Sequence, residues 1–508
     1  MKNHALIFQV FGRPDEWSGR PLGGHRIASY LRNEHDWDIE VLDFFNQWTI
    51  EELQQYVDSR INSHTKFIGF SLLFSIWPDT AEQLCAYVKT KHPYIKILTG
   101  GAVHPQYKSN LIDFYVKGFG EKAVEILLQW LFGNGPRPVF MLLDAENRKV
   151  IDANDQYPAF PMRSLMIQYE DRDFITPEDT LGIEFSRGCK FSCAFCNFPV
   201  LGVKGDYSRD AEDAYRHLKE AYDRFGVWHY AIADETFNDD INKIRKFADV
   251  VERLPFTPWF DGFVRADLLS RPHDNEELAR MNVRGQFYGI ESFNHASAKA
   301  VGKGMHPDKV KQILLDTKKY MESVGTKNYR GTISLIIGLP HESIDSVLAT
   351  KQWLFDNWQT ESYHGFALEL TADPGIKKSK ISAEYEQYGY KLVSENTKNS
   401  YQGRDVARNG AKMSDHILEW ENPYMTYNDA VALTDEFARQ NLTNDFRCTN
   451  YHLSAFGHLN DINKILAVPR GVTVDHPDTY GAHLRPKIQE EMLRLLNQYK
   501  SKKLNWMS

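Results

Sequence analysis

Two long runs of alternating strand and helix signals constrain this chain more than any other feature. In the first run, "ALIFQV", "IEVLDF", "KFIGFSLL", "IKILTGG" and "DFYVKGFG" are short apolar stretches rich in β-branched and aromatic residues, most of them closed by Gly, Ser or Asp. Helical patterns such as "HRIASYLRNE" and "EKAVEILLQWL" lie between them. In the second run, "LGIEFS", "HYAIAD", "WFDGFVRA", "GQFYGIES", "TISLIIGLP" and "YHGFALEL" are separated by longer helical stretches. Parallel strands need a crossover connection, usually a helix, so alternation implies parallel sheets. The first run predicts an α/β, Rossmann-like doubly wound sheet, and the six βα units of the second predict a partial (βα)6 TIM-type barrel. Beyond about residue 380 the alternation fades, which predicts a mainly helical carboxyl-terminal extension. With 508 residues the chain is too long for one core. The expected division is 1–135 for the first sheet, 136–175 for an irregular linker opened by the turn-rich "GNGPRP", 176–380 for the barrel and 381–508 for the extension.

Composition narrows the function classes. A hydrophobic fraction of 42% and a charged fraction of 25% are those of an ordinary globular protein. A net charge of -8 gives no nucleic-acid signal from bulk charge. No apolar run has the length of a membrane span, and the start, "MKNHALIFQVFGRPDEW", reads as a first strand rather than a secretion signal. Five cysteines, three of them clustered, do not make a disulfide framework, and such exposed thiols fit a reducing cytoplasm.

The cluster is "CKFSCAFC", with Cys189, Cys193 and Cys196 on the loop after the first strand of the second run. Loops at the carboxyl ends of barrel strands are where chemistry sits. A structural zinc site wants four ligands, and the nearest later histidines, His217 and His229, fall on a helix and at a strand start. A disulfide strands the third thiol. An iron–sulfur cube has four iron corners, and three thiolates leave one open for a ligand that must be activated.

The spacing C-x3-C-x-aromatic-C, with Phe195 as the aromatic, resembles the signature of the radical S-adenosylmethionine (radical SAM) superfamily. That resemblance implies a 4Fe–4S cluster held by Cys189, Cys193 and Cys196. It further implies S-adenosylmethionine chelating the fourth iron and reductive cleavage to a 5′-deoxyadenosyl radical. Further segments match the superfamily. "ADETF" places Asp234 and Glu235 where the methionine amino group is contacted, in place of the more usual Gly-Gly-Glu. Arg265 in "FVRAD" resembles the arginine that pairs with the methionine carboxylate. Glu291 and Ser292 in "GIES" resemble a segment contacting ribose or methionine, and "IIGLP" one that packs near the adenine.

The first run resembles the cobalamin-binding domain of one branch of the same superfamily, through "RPLGGHRIASYL", "FIGFSLLFS", "ILTGGAVHP" and "VKGFGEKAV". The resemblance implies that Ser71, Gly100 and Gly101 meet the cofactor tail. The segment "FGRPDEWSGRP" lacks the cobalt-ligating histidine of many cobalamin domains, so a bound cobalt would have no histidine below it. The expected activity is cobalamin-dependent methyl transfer to an unactivated carbon, with a flavodoxin or ferredoxin as electron donor. The alternatives are a radical SAM oxidoreductase or rearrangement enzyme without cobalamin, and a non-enzymatic zinc or iron–sulfur protein. Cys85 reads as a packed core thiol in an amphipathic helix. Cys448 and His104 are weaker site candidates, as a hydrogen donor to substrate and a cofactor-facing residue respectively.

Overall fold

The structure is a computed structural model. It describes the chain except residues 1, 11–18, 73–78, 102–108, 139–140, 144–148, 153–165, 197–206, 325–328, 359–360, 372–378, 395–416, 443–492 and 507–508. His104 and Cys448 therefore lie outside the described residues.

The apolar runs of the first series become β1 (His4–Val10), β2 (Asp38–Asp43), β3 (Thr65–Leu72), β4 (Lys96–Gly101) and β5 (Phe114–Lys117), all parallel, in the order β2-β1-β3-β4-β5. Every residue of β1 is buried, as expected of a central parallel strand covered on both faces. The crossovers are α1 (Gly23–His35), α2 (Ile50–Arg60), α3 (Asp79–Lys91) and α4 (Glu121–Phe132). α1 and α4 pack Ala28, Leu31, Leu127 and Leu128 against Ile7 and Val41. On the opposite face α2 and α3 pack Leu53, Tyr56, Leu84 and Val88 around Phe8 and Phe70, and Cys85 is a buried free thiol there. This is the Rossmann-like architecture that the sequence predicts. The strand order reverses between β1 and β3, the point at which doubly wound sheets bind ligands.

The stretch read as an irregular linker contains two strands, β6 (Met141–Leu143) and β7 (Lys149–Asp152). β7 joins β5 in parallel and β6 pairs antiparallel with β7, extending the sheet to seven strands.

The second series begins with β8 (Thr180–Ile183), followed by a short antiparallel pair, β9 (Ser186–Arg187) and β10 (Tyr207–Ser208). Then come β11 (His229–Ile232), β12 (Trp259–Val264), β13 (Val283–Glu291), β14 (Arg330–Ile337) and β15 (Ser362–Ala367). Six parallel strands pair in the order β15-β14-β13-β12-β11-β8, a partial barrel. Helices including Ala211–Phe225, Ile241–Glu252, Pro307–Ser323 and Ile344–Asn357 connect them. At the amino-terminal ends of the strands His229 hydrogen-bonds Thr180 Oγ1 through Nδ1 at 2.8 Å and Asp261 Oδ2 through Nε2 at 2.6 Å. His229 thus braces three strands at the end of the barrel away from the cysteine loop.

The carboxyl-terminal part is mainly helical, as expected, and also carries a small sheet. β16 (Leu370–Thr371), β17 (Lys391–Ser394) and β18 (Ile417–Glu421) form a small antiparallel sheet in the order β16-β18-β17, ahead of the helix Tyr427–Leu442. The last described helix, 493–506, lies against the first sheet: Leu495, Leu496 and Tyr499 join the core of Phe8, Leu42 and Phe44. Among the described residues, no helix is long and apolar enough to cross a membrane.

Candidate active site

The loop after β8 is shaped by backbone hydrogen bonds to distant elements. The Ala194 N–H donates to Val301 O at 3.1 Å, the Ile381 N–H donates to Ala194 O at 3.0 Å, and the Cys196 N–H closes a turn onto Cys193 O at 3.1 Å. Phe195 packs against the barrel core and so anchors the middle of the loop. Cys189, Cys193 and Cys196 are half-buried. Among the described residues, no three His, Cys, Asp or Glu side chains converge on a point that one metal ion could occupy. A cube distributes its ligands differently, one thiolate to each of three irons. Three cysteine thiols on a pinned loop at a barrel mouth are the donor set that such a cube requires.

Several strand-end residues meet this loop. The Gly188 N–H, beside Cys189, donates to Glu235 Oε2 at 3.1 Å. Burial pushes the Glu235 carboxyl up to about 7. Cys189 Sγ lies 3.7 Å from Thr236 Oγ1. Arg265 Nη1 lies 3.5 Å from Cys193 Sγ, and its guanidinium carbon is 3.9 Å from the centre of the Phe191 ring. Glu291 ends β13 with φ 69°, a left-handed conformation unusual for a residue with a side chain. Burial raises its carboxyl, against the pull of Lys303, whose Nζ is 3.7 Å away, and of Arg265.

Two other expected residues face different partners. Asp234 is buried and accepts from the Phe185 N–H at 2.8 Å and from Ser186 Oγ at 2.5 Å, clamping the end of β8. Burial pushes its carboxyl up to about 6. Ser292 donates to Glu342 Oε1 at 2.5 Å, and Glu342 in turn accepts from the Gly338 N–H at 2.9 Å. That bridge ties the end of β13 to the "IIGLP" turn, where burial pushes Glu342 up to about 7.

Ser71, Gly100 and Gly101 line a cavity of about 340 Å³ at the carboxyl ends of β1, β3 and β4. Its walls are mainly apolar, with Ile7, Val10, Leu72 and Phe119 among them, and its far side is barrel: Glu184, Ala233 and Glu235. A side chain at Gly101 would put Cβ 2.4 Å from Leu72 O, so strand packing itself demands glycine there. Its volume, its apolar walls and the Ser71 hydroxyl fit the tail of a bulky cofactor. The wall is tied together by buried charge. Arg187 donates to Glu184 at 2.9 and 3.0 Å and to Glu121 at 3.0 Å, and Arg26 lies 3.0 Å from Glu184. Burial opposes the Glu184 charge, but Arg187 and Arg26 outweigh it and hold the carboxyl below its usual range.

Sequence reasoning missed Asp267, Lys303, Glu342 and the Arg187 chain. Asp267 had a signal: in "FVRAD" it stands two residues after Arg265. The others meet the site only through tertiary contact.

The model of the radical SAM superfamily matches residues 183–354. The chain is 25% identical over 360 residues to an uncharacterized methyltransferase of Pyrococcus horikoshii, covering 66% of this chain and 72% of the relative. It is 26% identical over 311 residues to an anaerobic magnesium-protoporphyrin IX monomethyl ester cyclase of Synechocystis sp., covering 56% of this chain and 59% of that protein. Among solved structures, it superimposes on the radical S-adenosylmethionine methyltransferase TsrM from Kitasatospora setae, with cobalamin and a 4Fe–4S cluster bound. The TM-score is 0.62 at 14% identity, covering 86% of this chain and 91% of that one. The cobalamin-dependent S-adenosylmethionine radical enzyme OxsB, with aqua-cobalamin and S-adenosylmethionine bound, gives a TM-score of 0.56 at 15% identity, covering 98% of this chain and 72% of that one. The barrel region, residues 183–354, thus matches the radical SAM superfamily model, and the sheet-plus-barrel architecture is the fold that TsrM and OxsB also have.

Proposed function

We propose that this chain is a cobalamin-dependent radical SAM enzyme that transfers a methyl group to an unactivated carbon. The observation that carries the reading is the position of Glu235. It lines the cavity at the end of the first sheet and also accepts the hydrogen bond from Gly188 beside Cys189. One residue therefore joins the wall of the cavity that fits a cofactor tail to the loop that would hold the cluster. The relative named as a methyltransferase and the cobalamin-bound structures of like fold support the same reading.

When bound, the 4Fe–4S cluster supplies an electron to S-adenosylmethionine, and cobalamin supplies a methyl carrier. Cys189, Cys193 and Cys196 hold the cluster. Glu291 and the backbone around Glu235 would orient S-adenosylmethionine, and Asp234 fixes the end of β8 so that the cysteine loop leaves the barrel in one direction. Ser71 and the apolar cavity walls exclude water from the cofactor tail. The electron arrives from a low-potential donor such as a flavodoxin or ferredoxin.

The test is anaerobic purification, reconstitution with iron and sulfide, and assay of 5′-deoxyadenosine release under dithionite, with the corrin absorbance followed in parallel. Cys193→Ala is expected to lose the brown chromophore and to reduce 5′-deoxyadenosine release at least a hundredfold while the far-ultraviolet circular dichroism is unchanged. Release at the parental rate in that variant overturns the assignment of the cysteines. One zinc per chain and no cleavage of S-adenosylmethionine would mark the loop as structural.

A further inference from the structure

We propose that Arg265 tunes the reduction potential of the cluster through a hydrogen bond to the Cys193 sulfur, and that Asp267 is the positioning residue that aims it. This rests on the cluster assignment above and departs from the expectation that the Arg265 fork clamps a carboxylate of S-adenosylmethionine. A guanidinium presents five N–H groups in one plane, and where they go can be read directly. Nε and Nη2 donate to the two Asp267 oxygens, at 3.0 and 2.7 Å. The bidentate face is therefore already taken by this chain's own carboxylate. What remains facing the cysteine loop is Nη1, 3.5 Å from Cys193 Sγ, within range of an N–H···S hydrogen bond.

The arrangement is overdetermined. Phe191 stacks under the guanidinium at 3.9 Å. Asn238 brackets the Arg265 backbone, its Oδ1 accepting from the Arg265 N–H at 2.8 Å and its Nδ2 donating to Arg265 O at 3.0 Å. The Arg265 side chain is 8% exposed, so water does not screen the contact strongly. Burial works against the Asp267 charge, yet hydrogen bonds from Arg265 hold its carboxyl below the usual range, so it stays an acceptor. Reduction adds one negative charge to a cluster and strengthens its sulfurs as acceptors. A donor held on a ligating sulfur therefore stabilises the reduced form and raises the potential. The pair delivers a directed hydrogen bond while adding little net charge.

The experiment is a potentiometric titration followed by electron paramagnetic resonance, on the full chain with reconstituted cluster and without S-adenosylmethionine. Arg265→Met is expected to lower the midpoint. At a fixed potential the ratio of reduced to oxidised cluster falls about tenfold, equivalent to about 59 mV for one electron. Reduced parental protein is expected to show an exchangeable proton coupled to the cluster, lost in D2O. That coupling disappears in Arg265→Met and weakens in Asp267→Ala, which keeps the guanidinium but not its brace. Arg265→Lys, which retains the charge without the planar fork, gives the same two readouts and decides the matter where the methionine variant does not assemble a cluster. An unchanged midpoint and coupling in the Arg265 variants, with only S-adenosylmethionine affinity reduced, overturns the inference and restores the carboxylate clamp. Failure of the parental chain to assemble any cluster overturns the proposed function as well, so the two failures are distinguishable.

Discussion

His217 illustrates how a residue can look functional in sequence and serve packing instead. It stood near enough to the cysteines to be weighed as a zinc ligand, but it is 3% exposed on the helix Ala211–Phe225, and neither ring nitrogen has a hydrogen-bond partner among the described residues. Burial, with help from Arg209, pushes its pKa down to about 3. Between that value and the ordinary 6.5 the unfolded chain binds a proton that the native chain does not, so stability rises with pH across this window. The contribution is complete above pH 6.5 and is lost as pH falls, at about 1.4 kcal/mol per unit. His217→Leu is expected to remove about 2 kcal/mol of the stability difference between pH 6.5 and pH 5. Urea unfolding of both proteins at the two pH values measures it. Asp234 makes the same point from the other side. Its position after β11 marked it as a ligand contact, while its two hydrogen bonds spend it on holding β8. Position along a strand is legible in sequence; the direction in which a carboxylate finds its donors is not.

At the scale of elements, β1–β5 and the six barrel strands were legible because each is a short apolar run, most of them bounded by a breaker, whereas β6 and β7 lay hidden in the stretch read as a linker. β17 and β18 were not legible either, since "KLVS" and "ILEWE" are brief and mixed with polar residues. The helix at 493–506 falls in the extension read as mainly helical, whereas its partner was not legible. Leu495, Leu496, Tyr499 and Lys503 fall on one face, and their contacts lie in the first strands of the chain. Tyr499 Oη accepts from the Asp43 N–H at 2.9 Å, its ring lies 4.5 Å from the Arg20 guanidinium carbon, and Lys503 donates to Val41 O at 2.9 Å. Burial pushes Lys503 down to about 8. Beneath the helix Arg20 bridges Asp43 and Asp179 at 2.7 and 2.8 Å. Tyr499→Phe leaves a buried N–H without its acceptor and is expected to destabilise docking of the helix by about 1–3 kcal/mol. Amide exchange across residues 493–506, corrected for intrinsic rates, reads that change directly. Unaltered protection would show that water reaches Asp43 in the variant.

For the whole molecule, the decisive relation is the one between the two sheets, and no local pattern announced it. Glycines at the end of β4 suggested a ligand, yet Gly101 is required by its own neighbour strand, and the cavity exists because the barrel closes its open side. Residues 160 and more apart in sequence, such as Ser71 and Glu235, line one space. Ser71→Trp is expected to fill that space and to lower retention of cobalamin at least tenfold. Iron content and the cluster spectrum stay at parental levels, because the cysteine loop is pinned from the barrel side. Iron and corrin analysis of the same preparation checks both halves, and equal loss of the two would mean that the substitution disturbs the fold rather than the pocket.

The docking of residues 493–506 on the first sheet carries a consequence for how the protein is made. The hydrogen bond between Asp43 and Tyr499 spans 456 positions. At a translation rate of roughly 5–20 residues per second, the sheet waits on the order of 20–90 s after its first strands emerge from the ribosome before its covering helix is synthesised. During that interval Phe44 and the Arg20–Asp43 pair lack the cover of that helix, so the nascent chain offers a chaperone a binding surface that the finished protein conceals.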